Sequence, residues 1–291
     1  MTRIGAIFNP YTHTPEEFRD AVLAAEAERL PELWIWEDCF RQSAFATVGA
    51  ALAWTSSLRI GIGIAPMPLR NVASTAMEIA TVDRMFPGRL LPGVGHGVLP
   101  WMGQAGARVA SPLTLMREYV PALRDLLSGE RIDRDGRYVK LDGVGLDYPP
   151  ATAPRVYAAA EGPKTLRLSG EVADGTVLDS GHTAEEYAAA TTSIREARAQ
   201  AGRAGEHDIV AYVTTAFGAD AQARAVADVG DKPDPARRAL WGDPAEVAAG
   251  ARRFFEAGVD DVVLLPATRG DIAGFYRAAG EVARLVTGDA R

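Results

Sequence analysis

Residues Arg155 to Leu178 read RVYAAAEGPKTLRLSGEVADGTVL. An apolar opening, Arg155–Ala159, runs into the turn Glu161-Gly162-Pro163-Lys164-Thr165. An amphipathic run and a second apolar strand, Gly175–Leu178, follow after Ala173-Asp174-Gly175. Proline suits the first position of a helix, because its missing N–H has no intrahelical partner there and its φ is already helical. The turn therefore predicts free backbone N–H groups at a helix N-terminus where a strand ends, a place suited to a phosphate. The small run Ala158-Ala159-Ala160 leaves room for a flat ring beside the backbone.

Outward from this unit, apolar runs alternate with helical patterns along the chain. The predicted strands are Arg3–Phe8, Leu33–Trp36, Arg59–Ile64, Arg89–Val94, Arg155–Ala159, Gly175–Leu178, Ile209–Ala216 and Asp260–Leu265. Each is short, rich in Ile, Val or Leu, and bounded by turn residues. Thr14-Pro15-Glu16-Glu17, Thr183-Ala184-Glu185-Glu186 and Asp243-Pro244-Ala245-Glu246 read as helix starts, and a last helix is expected over Ile272 to Val286. Eight strands alternating with helices predict a (β/α)8 TIM barrel, as a single domain over residues 1–291. Asp135-Gly136 signals a hairpin, so Glu130–Pro150 is an excursion between strands four and five. Gly218–Gly242 reads as a loop with a short helix. An open doubly wound sheet is the weaker alternative, since Asn9-Pro10-Tyr11-Thr12-His13 after the first strand is no G-x-G-x-x-G loop.

Composition narrows the function classes. The chain has 291 residues, a formal net charge of −7 and no stripe of Lys or Arg, which argues against a nucleic-acid partner. The single cysteine, Cys39, excludes an internal disulfide framework and fits a reducing cytoplasm. No stretch approaches 18 uninterrupted apolar residues, so no membrane span is expected. A homodimer is neither required nor excluded.

In a barrel, the chemistry gathers at the C-terminal ends of the strands. Those ends offer Asn9 and His13; Glu37, Asp38 and Cys39; Gly63, Ile64, Ala65 and Met67; Gly95, His96 and Gly97; Glu161, Gly162 and Lys164; Asp179, Ser180 and His182; Pro266, Thr268 and Arg269. No two histidines share a helix at metal spacing, so no metal site is expected. No G-x-S-x-G appears, so a hydrolase triad has little support. Small residues at several strand ends leave space for a bulky planar ligand.

Taken in order, Leu33-Trp34-Ile35-Trp36-Glu37-Asp38, Arg59–Ile64, Ala80-Thr81-Val82-Asp83 to Pro87-Gly88-Arg89, Gly93-Val94-Gly95-His96-Gly97, Gly162-Pro163-Lys164 and Ala173-Asp174-Gly175 resemble the bacterial luciferase-like oxidoreductases. The resemblance covers nearly the whole chain. It implies a (β/α)8 barrel binding FMN or the deazaflavin coenzyme F-420, with the pattern nearest the F-420 users. It also implies hydride transfer to or from a small organic substrate. By resemblance, Asp38 sits near ring and substrate, Gly63-Ile64 is a non-prolyl cis peptide behind the ring, and Gly95, His96 and Gly97 line the ring or ribityl chain. Ala159, Ala160, Gly162, Pro163 and Lys164 hold the phosphate end. Asp38, Cys39 and His96 are the candidate catalytic residues. Three departures stand out: Cys39 follows Asp38 where several F-420 enzymes carry His, Pro92 sits in strand four where the family usually has Gly or Ala, and the region after strand seven is shorter than usual. The first keeps a non-catalytic flavin-binding protein in play. A barrel aldolase or isomerase would want a lysine at a strand end, and Lys140, Lys164 and Lys232 fall in turns and loops.

Overall fold

A computed structural model describes residues 2–288. The barrel staves are β1 (Arg3–Phe8), β2 (Glu32–Ile35), β3 (Arg59–Ile62) continued by β4 (Ala65–Pro66), and β5 (Leu90–Leu91) continued by β6 (Gly93–Gly95). The hairpin β7 (Ile132–Asp135) and β8 (Lys140–Val144) comes next, antiparallel as the Asp135-Gly136 signal predicts. The remaining strands are β9 (Tyr157–Ala159), β10 (Gly175–Leu178), β11 (Asp208–Phe217), β12 (Ala239–Gly242) and β13 (Asp261–Pro266). Between and after them lie α1 (Phe18–Ala27), α2 (Ala44–Trp54), α3 (Val72–Met85), α4 (Leu99–Gln104), α5 (Pro112–Leu127), α6 (Pro163–Val172), α7 (Ala184–Gln200), α8 (Ala221–Val229), α9 (Pro244–Glu256) and α10 (Ile272–Thr287).

All ladders among the staves are parallel, and the ring closes through the fourth stave. Leu90 and Leu91 pair with Ile60 and Gly61 of β3, whereas Gly93 and Val94 pair with Tyr157 and Ala158 of β9. Pro92, between them, has no N–H to give to either neighbour. Its carbonyl still accepts from the Tyr157 N–H at 2.9 Å. The departure noted in the sequence is thus the point where the stave breaks into two short strands: β5 pairs with β3 alone, whereas β6 pairs with both β4 and β9. The eight predicted strands all appear. The region Gly218–Gly242 holds more than a loop and a helix: β12 adds a parallel strand beside the outer half of β11.

Two apolar layers hold the barrel. Ile7, Trp34, Leu91, Tyr157, Val177, Val210, Tyr212, Val263 and Leu265 fill its interior. A larger layer, including Ile4, Leu33, Ile60, Leu123, Ile209, Val262 and Tyr276, joins the strands to the surrounding helices. Helix starts follow the sequence signals: Thr183 with Glu186, and Asp243 with Glu246, form reciprocal capping boxes at α7 and α9. Asp174, in the stretch that opens the sequence reading, braces the far end of the barrel. It accepts from Arg124 Nε at 2.9 Å, Arg203 Nη2 at 2.7 Å and the Val156 N–H at 3.1 Å.

Behind α6, a polar chain crosses the same end. Arg198 Nη1 lies 3.4 Å from His207 Nδ1, and His207 Nε2 lies 2.8 Å from Thr176 Oγ1, which bonds Ser169 Oγ at 2.9 Å. An arginine only donates, so this arrangement suits a neutral imidazole. Burial first, then the nearby Arg198 charge, lowers the His207 pKa to about 4. Protonation is therefore favoured in the unfolded chain. Stability is complete above the unfolded histidine value of 6.5 and is lost as pH falls from there to about 4. Thermal unfolding should reveal a loss on the order of 2 kcal/mol across that window. In His207→Gln the same acid-side slope should flatten; an unchanged slope would exclude His207 as its source.

Candidate active site

At the C-terminal ends of the strands lies a cavity of about 480 Å³. The second stave contributes Trp36, Glu37 and Asp38, the third Gly63, Ile64 and Pro66, and the fourth His96 and Gly97, with Val98 and Trp101 beyond. The opposite wall is Ala159, Ala160, Glu161, Gly162 and Thr165, with Val177, Asp179 and Tyr212 completing it. Asp38, Gly63, Ile64, His96, Gly97, Ala159, Ala160 and Gly162 from the sequence reading therefore share one space.

The other named residues stand apart from this cavity. Gly95 is buried behind Ile64: a Cβ there would lie 2.8 Å from Ile64 Cγ1, so the glycine lets the isoleucine pack. Pro163 and Lys164 begin α6 on its exposed outer side. Cys39 opens into an adjoining groove of about 310 Å³ that shares Glu37 and Asp38 with the cavity and is completed by Phe40, Arg41, Gln42, Ser43, Leu69 and Arg70. Burial, and then the Glu37 and Asp38 charges, raise its thiol pKa, the wrong direction for an acid–base or nucleophilic sulfur. His13 is buried in a further hollow of about 240 Å³ beside Thr215 and Pro266.

The α6 N-terminus is built as the sequence suggests. Gly162 is the N-cap at φ −79°, Pro163 follows, and no side chain caps the free N–H groups. A Cβ on Gly162 would meet nothing within 4 Å, so the space in front of this helix end is open. Across the cavity, burial lowers the His96 pKa and favours the neutral ring. Its Nδ1 is shielded from solvent and has no hydrogen-bond partner, an arrangement a bound polar ligand would complete. Asp38 is half-buried. Its carboxyl pKa is raised chiefly by burial and further by Asp179, against the lowering effects of Tyr11 and Arg41. The peptide bonds Gly63–Ile64 and Cys39–Phe40 are both cis.

Tyr212 escaped the sequence reading. It lies mid-strand in β11, and its hydroxyl points at the Gly63 carbonyl at 3.4 Å. The available signal was alternation, since Val210 and Tyr212 share the inward face of β11. Asp179 was read as a strand end without its position opposite Asp38. Among the described residues no cluster of three or more His, Cys, Asp or Glu is arranged to hold a metal ion, and no helix is long and apolar enough to cross a membrane.

The sequence model of the family described as luciferase-like monooxygenase matches residues 1–229. The chain belongs to that family. Luciferase-like proteins are flavin- or deazaflavin-dependent oxidoreductases. Among relatives of this luciferase-like chain, the 5,10-methylenetetrahydromethanopterin reductase of Methanolobus tindarius is 29% identical over 271 residues, 91% of this chain and 76% of the relative. The F420-dependent glucose-6-phosphate dehydrogenase of Nakamurella multipartita is 27% identical over 229 residues, 74% of this chain and 67% of the relative. In fold, the chain is similar to the coenzyme F420-dependent tetrahydromethanopterin reductase of Methanopyrus kandleri. The TM-score is 0.84 at 21% identity, covering 96% of this chain and 97% of the other. An F420-dependent secondary alcohol dehydrogenase in complex with an F420-acetone adduct superposes with a TM-score of 0.86 at 21% identity, covering 98% and 99%.

Proposed function

We propose that this luciferase-like chain uses coenzyme F-420 to pass a hydride to or from a small organic substrate, with both meeting in the 480 Å³ cavity. The observation that carries the reading is the pairing of an open, uncapped helix N-terminus at Gly162 with a cavity walled by Gly63, Ile64, Gly97, Ala159 and Ala160. The small side chains there would accommodate a ring, and the backbone N–H groups would hold a phosphate. Charge supports F-420 over FMN. No Lys or Arg is among the lining residues, while Glu37, Asp38, Glu161 and Asp179 are. Such a site suits the singly charged phosphodiester of F-420 better than the more highly charged phosphomonoester of FMN.

When bound, the deazaflavin supplies the hydride chemistry. The chain's own residues position and exclude. Gly162 and the first turn of α6 would hold the phosphate, His96 Nδ1 would meet a polar group of the ligand, and Trp36 and Trp101 would shield the mouth. Asp38, with its raised proton affinity, is the group placed to hold or release a proton.

Titrating the protein separately with F-420 and FMN, followed by absorbance and tryptophan fluorescence, tests the assignment. Saturable and tighter binding of F-420 is expected; tighter FMN binding overturns the cofactor choice, and binding of neither overturns the reading. Gly162→Asp should weaken F-420 binding about tenfold or more, by setting a carboxylate against the phosphate at the helix end. The new side chain enters open space, so the unfolding midpoint should hold. Unchanged affinity would remove the phosphate from this position.

A further inference from the structure

Cys39 does not line the cavity, and burial raises its thiol pKa, so the proton chemistry beside Asp38 needs another partner. The loop after β1 provides one. Tyr11 Oη donates to Asp38 Oδ2 at 2.8 Å. The Arg41 guanidinium lies 3.9 Å from the centre of the Tyr11 ring, and Trp36 meets that ring edge-on at 6.2 Å. Tyr11 is thus clamped between a cation and an aromatic wall although it is 45% exposed. The loops after β1 and β2 are adjacent because the two strands pair directly, which places the phenol beside the acid.

We infer that Tyr11 is the positioning residue for Asp38, fixing its carboxyl toward the cavity and stabilising it as the carboxylate after it has given up a proton. The inference rests on the oxidoreductase reading above and assigns a role that falls on neither Cys39 nor a histidine. In the reducing direction, the substrate carbon of a C=O or C=N bond gains the hydride. The π pair moves to the heteroatom, which takes the Asp38 proton. A reduced deazaflavin, when bound, would supply the two electrons, and Asp38 would recover its proton from solvent. Asp38 is then an anion in a half-buried site, facing Asp179 across the cavity and flanked by Glu37. Only Tyr11 and Arg41 among its described neighbours offset that charge, and Tyr11 does so by a direct hydrogen bond. Burial, reinforced by Asp38, pushes the Tyr11 phenol up to about 12, so it remains a donor throughout the working range.

The test reads Asp38 itself. Protein labelled at the aspartate carboxyl carbons is titrated by NMR, with the Asp38 signal assigned by its loss in Asp38→Asn. Tyr11→Phe should raise the proton affinity of Asp38 about tenfold, since a donor to the charged form is removed. Cys39→Ser should leave the Asp38 titration in place. An unmoved titration in Tyr11→Phe, or an equal displacement in Cys39→Ser, overturns the inference. F-420 and FMN are titrated into the same samples. Loss of both in the unaltered protein would overturn the cofactor reading while the carboxyl titration still reports on Tyr11.

Discussion

Gly63→Ala should destabilise the protein by about 3 kcal/mol or more and weaken F-420 binding with it. A Cβ on Gly63 would lie 1.6 Å from Tyr212 Oη, 2.9 Å from Tyr212 Cζ and 3.2 Å from Trp34 Cε3. Both rings are buried inside the barrel, where Trp34 and Tyr212 pack at 6.1 Å, so relief of the clash must displace Tyr212 from its place in the cavity wall. Close-packed interiors transmit such a clash to the backbone, and here the backbone is a cavity wall. Chemical denaturation of the single variants and of Gly63→Ala/Tyr212→Phe checks the cause. Removing the hydroxyl should recover part of the loss, because the nearest clash disappears while the Cζ contact remains. A Gly63→Ala protein as stable as the parent would show that the third stave yields easily.

Loss of Glu37 should be comparably severe, about 3 kcal/mol, the lower end of the range for breaking a buried ion pair. Glu37 accepts from the Ala44 N–H at 2.7 Å at the start of α2, and from both terminal nitrogens of Arg70, one of them at 2.9 Å. Glu37→Ala leaves the largely buried Arg70 with only its longer contact to Glu78, Nε to Oε2 at 3.4 Å, and leaves an α2 N–H unpaired. The double replacement Glu37→Leu/Arg70→Met should recover most of the stability, since a matched apolar pair leaves no stranded charge. Urea midpoints of the three variants decide it: a double variant no better than the single would place the loss in the α2 hydrogen bond.

Much of this architecture is written in local pattern. The strand-turn-helix-strand run Arg155–Leu178 announces itself because each piece has its own signal: apolar residues, Gly-Pro, amphipathic spacing and Asp-Gly. The barrel follows from repeating that unit. The cavity walls were legible where function needs small residues at strand ends, as at Gly63, Gly97 and Ala159–Gly162. What was not legible depends on which way a side chain turns. Cys39 and Asp38 are neighbours in sequence and share an outer groove, but only Asp38 also lines the cavity. Gly95 supports Ile64 rather than touching the cavity. Tyr212 and the Tyr11–Asp38 bond join residues 149 and 27 positions from their partners, Gly63 and Asp38, and only the closed barrel brings them together. The strand β12 went unread because ALWG is short and follows a proline- and charge-rich run.

The proline that divides the fourth stave also has a consequence for how the two sides of the molecule hold together. On one flank, β1 and β13 join them by a ladder of four residue pairs; on the other, the fourth stave joins them by ladders of only two pairs each, β5 to β3 and β6 to β4 on one side and β6 to β9 on the other. Asp38, Gly63 and Ile64 belong to one half of the ring, and Ala159, Gly162, Asp179 and Tyr212 to the other. Any occupant of the cavity is therefore a clasp across the lightly stitched side. Occupancy and resistance to unfolding become two readings of the same free energy, and a cell rich in the ligand would keep a tougher protein than a cell without it.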